Sequence, residues 1–523
     1  MARKHVPPIV VIILSAVTLL WRLEGTVLWR DEATTACWAR EMIERRSWIP
    51  RAFYGDRLIV QAADGHDFND RFLPAMQGWL QFYVAAAGFL AGGVGTLSAR
   101  LPFVLAGAAA LWALYRTGRG LFPDPLAALA APLAGALSIY FLTAARQARY
   151  YVLVVLFTSL ILLEFSRYLR APERGRSWGF SLRVGLYGLL TYLSNYVSFG
   201  GLWLSLAVFV LIRRDRHLLP RFLAVSAGLA ALMAAEFSVV HAEFVAGSAA
   251  VRSAPWEAYW TTVRYHAIEM FRMIPLAALV PAAWFVFRRK ANPPSHLSAM
   301  AALAALIVLV SVSSTILAAR TGAITRYYFQ ILPALLLLTG IAAERLRAVA
   351  GGGWAAAFLL FSLAWPNLNF YHNWCEHAVE RQLTRDTTCN EPIVEFLRRN
   401  ARPGETVAFY RNVQGMMAYF ELPWLQWTAL LDSDEPRNRR RRGILPAYVF
   451  DDFEGVDWYV VWDNRGLQPK KLTAGYRLVW EHSYRNPKGW WDRDLPDRIL
   501  GYRVYRRVSS PAPASIAGGD LRR

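Results

Sequence analysis

The stretch LAALAAPLAGALSIYFLTAA, Leu126 to Ala145, carries no charged side chain. An apolar helix of about 20 residues spans a bilayer, so this stretch predicts a transmembrane helix. Other uncharged runs of similar or greater length are Val184 to Ile212, Leu297 to Ala319, Tyr327 to Ala343 and Ala348 to Tyr371. A water-soluble fold does not use so many, and the sequence therefore predicts a polytopic α-helical membrane protein.

The composition agrees with burial in lipid. Of the 523 residues, 55% are hydrophobic and 18% are charged, against roughly 25% charged in a typical soluble domain. The formal charge of +20 resides mainly in arginines of short loops between the apolar runs. Anionic lipid and the excess of basic residues in cytoplasmic loops explain that charge, so nucleic acid is not expected as a partner.

Two segments decide the predicted topology. The first, MARKHVPPIVVIILSAVTLLW, has a basic start and an apolar run but no small-x-small cleavage site before Arg22, so it is interpreted as an uncleaved first span. The second, Phe72 to Ala99, is uncharged but contains Gln77 and Gln81. If it lies in the outer interface without crossing, the cytoplasmic loops hold most of the basic loop residues, which favours that arrangement.

The resulting prediction has about 11 transmembrane helices, with the N-terminus cytoplasmic and the C-terminus outside. Val184 to Ile212 is divided into two short spans around Tyr192 to Tyr196, because both flanks are strongly basic. One long tilted helix is the alternative. The protein is expected in the bacterial inner membrane, where the outer side is the periplasm.

The predicted domains are a transmembrane domain, residues 1–372, which includes a first periplasmic loop at 22–100, and a periplasmic α/β domain at 373–523 with a flexible end. EPIVEFLRRN predicts a helix, and VDWYVVW, YRLVWEH and ILGYRVYRR predict strands because β-branched and aromatic residues alternate in them. Cys375 and Cys389 both lie in the predicted outer region and could form one disulfide bridge.

An acidic pair, Asp31 and Glu32, follows the first span closely. A carboxylate just above the headgroups suits transfer of a sugar from a lipid-linked phosphate, because inversion requires a base that takes the acceptor proton. The alternative is structural: Asp31 would cap an amphipathic interfacial helix running from Ala33 to Arg45. The two interpretations are compatible.

Charged residues gather again at AADGHDFNDRF in the same loop. Arg71 offers a bidentate fork for a phosphate leaving group, and its structural alternative is an interfacial arginine bound to lipid phosphate. His66, Asp67 and Asp70, together with Asp64, could hold a divalent metal, but their spacing matches no established ligand motif. We therefore expect no required cofactor and assign no metal ligands.

Three further arginines, Arg100, Arg149 and Arg326, lie at predicted outer ends of spans, near tyrosines such as Tyr327. Anchoring at the headgroup level is the ordinary role of such residues. Their placement on the same predicted face as Asp31 is also what an enzyme acting on a lipid-linked phosphate requires.

Taken together, these residues resemble the GT-C superfamily of membrane glycosyltransferases, specifically bacterial relatives of protein O-mannosyltransferases and the lipid A aminoarabinose transferase. Five motif steps occur in family order within residues 1–345. They are the acidic pair (Asp31, Glu32), an Asp-Lys-Pro-Pro-like stretch (Asp70, Arg71, Pro74), an Arg-Leu-Pro step (Arg100 to Pro102), a Tyr and Ala-Arg-x-Tyr step (Tyr140, Ala148, Arg149, Tyr151), and an Arg-Tyr-x5-Pro step (Arg326, Tyr327, Pro333).

The resemblance implies a GT-C-like fold and an inverting glycosyltransferase with a polyprenyl-phosphate sugar donor. It implies Asp31 as the catalytic base with Glu32 in support, and donor-phosphate contacts from Arg71, Arg100, Arg149, Arg326 and Tyr327. The acceptor could be a protein, lipid or glycan. The sequence departs from the family pattern at Arg71, where a lysine is expected, at Phe72 and Leu73, which precede Pro74, and at Gln147, where many relatives have an acidic residue.

Two other classes of protein remain open at this stage. A transporter or flippase for lipid-linked saccharides would also place arginines near phosphate, although the sequence has no internal inverted repeat. A purely structural membrane scaffold gives no reason for an acidic pair and arginines on one predicted face.

Overall fold

The computed structural model describes residues 6–28, 30–53, 59, 68–75, 78–124, 127–240, 295–318, 329–368, 391–410, 415–428, 431–432, 449–450, 456–463, 475–485 and 499–508. Contacts divide the chain into two compact units, Met1–Leu23 with Gln77–Phe370, and Glu24–Met76 with Tyr371–Arg523. Most of the loop at 22–100, which the sequence analysis grouped with the transmembrane helices, is thus grouped with the tail.

The described part of the first unit is helical. Its α-helices are α1 Val6–Leu20, α3 Leu80–Gly92, α4 Thr96–Leu121, α5 Ala130–Leu137, α6 Ile139–Ala145, α7 Tyr151–Arg170, α8 Trp178–Ser194, α9 Tyr196–Arg213, α10 Leu218–Val240, α11 Ser295–Ala318, α12 Leu332–Ala350 and α13 Gly352–Leu368. Short 3₁₀ turns occur at Ala127–Leu129 and Pro172–Arg176.

Within the described residues, 6 helices are long and apolar enough to cross a membrane, or up to 7 if the bent pair Ala127–Leu137 and Ile139–Ala145 is one span. The stretch Leu126 to Ala145, predicted as one transmembrane helix, is therefore not one straight helix. The chain bends by 68° between α5 and α6. The prediction of about 11 spans stays a prediction, since several predicted spans fall partly or wholly on residues outside those described.

One local prediction is confirmed, and another stays a prediction. The chain from Trp178 to Arg213 forms two helices, and the break between them is at Asn195, whose side chain accepts a hydrogen bond from the Ser198 backbone N–H. The segment Phe72 to Ala99 contains α3, whose 13 residues give a helix about 20 Å long at about 1.5 Å per residue, too short to span a bilayer alone. Its placement in the outer interface stays a prediction.

Helix α7 is the most buried of the 6 described helices that could cross a membrane: 83% of its most apolar stretch is buried. It packs against α4, α8 and α11. At Gly107 of α4 an added Cβ would lie 2.7 Å from the Cβ of Ala145 and 3.5 Å from Cγ2 of Val152. The absence of a side chain at Gly107 therefore lets α4 approach the connection between α6 and α7 closely.

The second unit mixes helices and strands. It contains α2 Arg30–Glu44, α14 Glu391–Asn400, α15 Gly415–Glu421, β1 Thr406–Tyr410, β2 Gln426–Thr428, β3 Leu431–Asp432, β4 Val449–Phe450, β5 Trp458–Asp463, β6 Tyr476–Arg485 and β7 Ile499–Arg507. The predicted helix at EPIVEFLRRN and the three predicted strands are all confirmed.

A mixed sheet with the strand order β2-β1-β5-β7-β6 forms the core of this unit. β1 is parallel to β2 and to β5, whereas β7 is antiparallel to β5 and to β6. Trp458 and Val460 pack on one face with residues of α14, while Tyr459 and Val461 are buried on the other face. Strand β5 is buried on both faces, which explains its continuous apolar run.

Candidate active site

The acidic pair lies in the first turn of α2. The helix begins at Arg30 and ends at Glu44, so a helix is confirmed here. The interpretation of Asp31 as its N-cap is wrong, because Asp31 already lies within the first turn. Asp31 and Glu32 are 1% and 0% exposed, next to the positive end of the helix dipole. Successive helical residues are about 100° apart around the axis, so Asp31 and Glu32 leave the helix axis in different directions.

The surroundings of α2 differ from those of an interfacial helix. Every residue from Asp31 to Met42 is buried, including the charged Arg40 and Glu41. Its contact with α15 is polar: the Tyr419 hydroxyl donates to Glu41 Oε1 at 2.6 Å, and Arg40 Nη1 donates to the Tyr419 carbonyl at 3.4 Å. The Arg40 guanidinium also lies over the Tyr419 ring, 4.4 Å from its centroid. The helix carrying Asp31 is therefore held by the C-terminal part of the chain.

Arg71 lies on a tight turn of the same unit. Asn69 Oδ1 accepts hydrogen bonds from the backbone N–H groups of Arg71 at 2.9 Å and Leu73 at 3.0 Å. Phe72 has a φ of 60°, a left-handed conformation that is uncommon for a bulky residue, and it packs against Phe53 and Phe68. Asp70 and Arg71 are exposed at the tip, so the guanidinium can reach a ligand from a fixed backbone.

In the first unit, two buried arginines bind the end of α1. Arg146 donates through Nη1 to the carbonyls of Thr18 at 2.8 Å and Leu19 at 3.2 Å, and through Nη2 to that of Trp21 at 2.6 Å. Arg100 donates through Nη1 to the Leu23 carbonyl at 2.8 Å. The last carbonyls of a helix have no partners within it, so both side chains stabilise the C-terminus of α1 and its following turn. Arg100 thus has a structural contact besides its predicted role.

Arg149 has different surroundings. It is 3% exposed, directly precedes the Tyr150 and Tyr151 pair at the start of α7, and lies with its guanidinium carbon 5.3 Å and 5.9 Å from their ring centroids. No side chain caps the N-terminus of α7. Arg149 therefore adds a positive charge next to the positive end of the α7 dipole.

The segment from Phe329 to Ile331 lies beside this helix start. The rings of Tyr151 and Phe329 are 5.1 Å apart, and the following helix, α12, packs against α7. Gln147 and Gln330 are both 0% exposed. Arg326 and Tyr327, just before this segment, lie outside the described residues, as do His66 and Asp67.

Three features of these sites were absent from the sequence analysis: the contact of Arg40 and Glu41 with Tyr419, the role of Arg146, and the burial of both glutamines. For these three features the sequence offered one signal: Gln330 is a polar residue inside an apolar run. Among the described residues, no three His, Cys, Asp or Glu side chains form a group that could hold a metal ion.

The chain is similar to known proteins in part of its sequence and in its fold. Residues 76–240 match the family described as dolichyl-phosphate-mannose-protein mannosyltransferase. The structure is similar to ArnT from Cupriavidus metallidurans bound to undecaprenyl phosphate, with a TM-score of 0.58, 16% identity and 99% of each chain covered.

The apo state of the same ArnT gives a TM-score of 0.56 at 15% identity, covering 98% of this chain and 99% of ArnT. AglB from Archaeoglobus fulgidus gives a TM-score of 0.46 at 12% identity, over 88% of this chain and 70% of AglB. No curated protein sequence matches the chain.

The class of the protein follows from the fold and the family match together. The chain has the GT-C fold, and it is a multi-pass membrane glycosyltransferase.

Proposed function

We propose that this enzyme takes a sugar from a polyprenyl-phosphate carrier and transfers it, with inversion, to a protein, lipid or glycan acceptor on the periplasmic face of the bacterial inner membrane. The observation that carries the proposal is Arg149, a buried cation at the N-terminus of α7. ArnT, with the same fold over the full length, has been solved with undecaprenyl phosphate bound.

The proposed chemistry assigns one role to each group. Asp31 takes the proton of the acceptor hydroxyl, the acceptor oxygen bonds to the anomeric carbon, and the bond from that carbon to the phosphate oxygen breaks. Polyprenyl phosphate leaves with the electron pair. Arg71 and Arg149 stabilise the negative charge of the phosphate, with Arg326 and Tyr327 as further proposed contacts. Glu32 supports Asp31, and no cofactor is required.

The test is release of free polyprenyl phosphate from labelled polyprenyl-phosphoryl sugar by the purified full-length protein. An enzyme makes this product when acceptor is present, whereas a flippase returns the lipid unchanged. Asp31→Asn should lower turnover by about 100-fold or more while donor binding changes little, because the base acts in the transition state. Glu173→Gln, an exposed carboxylate in the turn before α8, should remain at the wild-type rate.

A purely structural role for Asp31 in the first turn of α2 predicts a different pattern. Asn keeps the size and the hydrogen-bonding oxygen of the side chain, so Asp31→Asn would be almost silent, whereas Asp31→Ala would lose stability by about 1 kcal/mol. An Asp31→Asn enzyme that turns over at the wild-type rate would remove Asp31 from the mechanism.

A further inference from the structure

Basic side chains are concentrated where the turn between α7 and α8 meets the turn between α9 and α10. The two turns are in contact, because Arg221 Nη1 donates to the Gly175 carbonyl at 3.0 Å. Residues 164–183 and 213–221 together contain nine arginines, three carboxylates and no lysine. The two turns therefore form one strongly cationic surface of the first unit.

Two of the three carboxylates already bind protein groups. Glu164 accepts from Arg167 Nη1 at 2.6 Å and from Arg183 Nη2 at 2.9 Å. Asp215 accepts from the Tyr168 hydroxyl at 2.7 Å and from two backbone N–H groups around the start of α10. Six arginines of the two turns have no carboxylate partner among the described residues: Arg170, Arg174, Arg176, Arg214, Arg216 and Arg221. We call these six residues the arginine patch.

Part of the arginine patch is held in place by the fold. The guanidinium carbon of Arg221 lies 5.8 Å from the centroid of the Trp178 ring. A Cβ added at Gly120 of α4 would lie 2.8 Å from Nη2 of Arg170, so this guanidinium lies against α4. Arg174 is close enough to Arg170 to repel it electrostatically. A bound anion would relieve this repulsion, and oriented guanidinium groups lose little freedom when they bind it.

An apolar stripe adjoins the arginine patch. Trp178, Leu182 and Leu186 are 51%, 58% and 51% exposed, and their spacing of four residues places them on one face of α8. Trp178 is the first residue of α8 and lies beside Arg221, so the stripe begins at the patch and continues along the helix. A soluble anion has no group that covers such a stripe. A phospholipid presents a phosphate next to acyl chains and matches both features.

We propose that the arginine patch and the apolar stripe of α8 bind an anionic phospholipid of the surrounding membrane. The phosphate lies on the guanidinium groups, which can form bidentate hydrogen bonds to its oxygens, and an acyl chain lies along the stripe. This inference goes beyond the proposed function. Arg149 precedes α7 and Arg170 ends it, so the 20 residues of the helix separate the lipid site from the proposed donor site by about 30 Å at about 1.5 Å per residue.

The experiment measures lipid binding to the purified, delipidated full-length protein in detergent by native mass spectrometry, with phosphatidylglycerol and zwitterionic phosphatidylcholine as the probes. Wild type should bind phosphatidylglycerol about tenfold or more tightly than phosphatidylcholine. Arg174→Gln combined with Arg176→Gln should lose most of this preference, because two exposed charges of the patch are removed. The matched control, Arg402→Gln combined with Arg477→Gln, removes two exposed arginines of the second unit and should keep the preference.

A second pair of variants tests the apolar stripe. Leu182→Ala should weaken phosphatidylglycerol binding by about fivefold, because apolar contact with an acyl chain is lost. Leu105→Ala on α4, where the leucine is 60% exposed, should have no effect. Equal effects of the two alanine variants would contradict the assigned position of the acyl chain.

Thermal unfolding separates the lipid from other anions, since a ligand that binds the folded state raises the Tm. Phosphatidylglycerol should raise the Tm of the wild type more than phosphatidylcholine, inorganic phosphate or polyglutamate does. The inference is overturned if inorganic phosphate or polyglutamate raises the Tm as much as phosphatidylglycerol. It is also overturned if the variant at positions 174 and 176 keeps the lipid preference or if the control loses it equally. None of these measurements needs a sugar donor or an acceptor, so their outcome is independent of the proposed reaction.

Discussion

At the residue scale, two of the arginines proposed to contact the donor phosphate differ strongly in exposure. Arg149 is buried against tyrosine rings, whereas Arg71 is exposed at the tip of a turn whose backbone is held by Asn69. A buried arginine is already oriented, while an exposed one loses side-chain freedom when it binds. Arg71 is therefore expected to act mainly when the donor is present.

Substitutions at Arg71 test this role. Arg71→Ala should weaken donor binding and also slow transfer, because the guanidinium is proposed to hold the phosphate before and during its departure. Arg71→Lys should recover only part of both, because a point charge replaces a bidentate fork. Donor affinity and single-turnover rate are the measurements. If Arg71→Lys is fully active, a bidentate contact is ruled out.

Cys37 on α2 gives a prediction about pH. Burial raises the pKa of this thiol to about 12, although the Arg40 guanidinium acts in the opposite direction. The thiol therefore stays protonated between pH 7 and 9, where an ordinary cysteine begins to ionise. With Cys375 and Cys389 replaced by serine, maleimide should label the folded protein very slowly, without the usual acceleration towards pH 9. Fast labelling of the folded protein would show that α2 is not buried.

At the scale of elements, the contact of α2 with α15 decides how firmly Asp31 is held. Tyr419→Phe removes the hydroxyl that donates to the buried Glu41 and should destabilise this contact by about 1 to 3 kcal/mol. Hydrogen exchange of the α2 amides should rise in the variant.

The control for that substitution is Tyr476→Phe in the same unit, where the lost bond is to the Val456 carbonyl and is partly solvent-exposed. It should leave α2 exchange unchanged. Equal effects of the two variants on α2 would contradict a specific role for Tyr419.

Elements were predictable from the sequence where one local rule decides them. The break between α8 and α9 follows from a polar Asn195 between two apolar halves, and the strands of the tail follow from alternating side chains. The contact of α2 with α15 was not predictable, because it joins two polar stretches far apart in the chain. Nor does local apolarity distinguish the bend between α5 and α6 from a straight helix.

The candidate site was predictable to a smaller extent. Motif order located Asp31, Arg71 and Arg149, but it did not distinguish an arginine that binds carbonyls from one that faces a ligand. Arg100 and Arg146 show why: both are arginines near the outer ends of predicted spans, and both donate to the end of α1. Only three-dimensional packing reveals which backbone carbonyls an arginine can reach.

For the whole molecule, the predicted orientation in the membrane can be tested by thiol labelling in a chain without its three native cysteines. Cysteine at Val94, in the turn before α4, should react with an impermeant reagent added from outside. Cysteines at Arg119, near the other end of α4, and at Ser177 should react only after permeabilisation. The opposite pattern would contradict the predicted orientation.

The joining of α2 to α15 has a consequence for the order of events during synthesis. Glu41 and Tyr419, which share a hydrogen bond, are 378 residues apart in the chain. At about 5 to 20 residues per second, the ribosome needs about 20 to 75 seconds to make the second partner after the first. During that time α2, with its buried Arg40 and Glu41, has been made without its partner helix. The second unit therefore completes its fold only near the end of translation, and early termination would leave the nascent chain open to degradation.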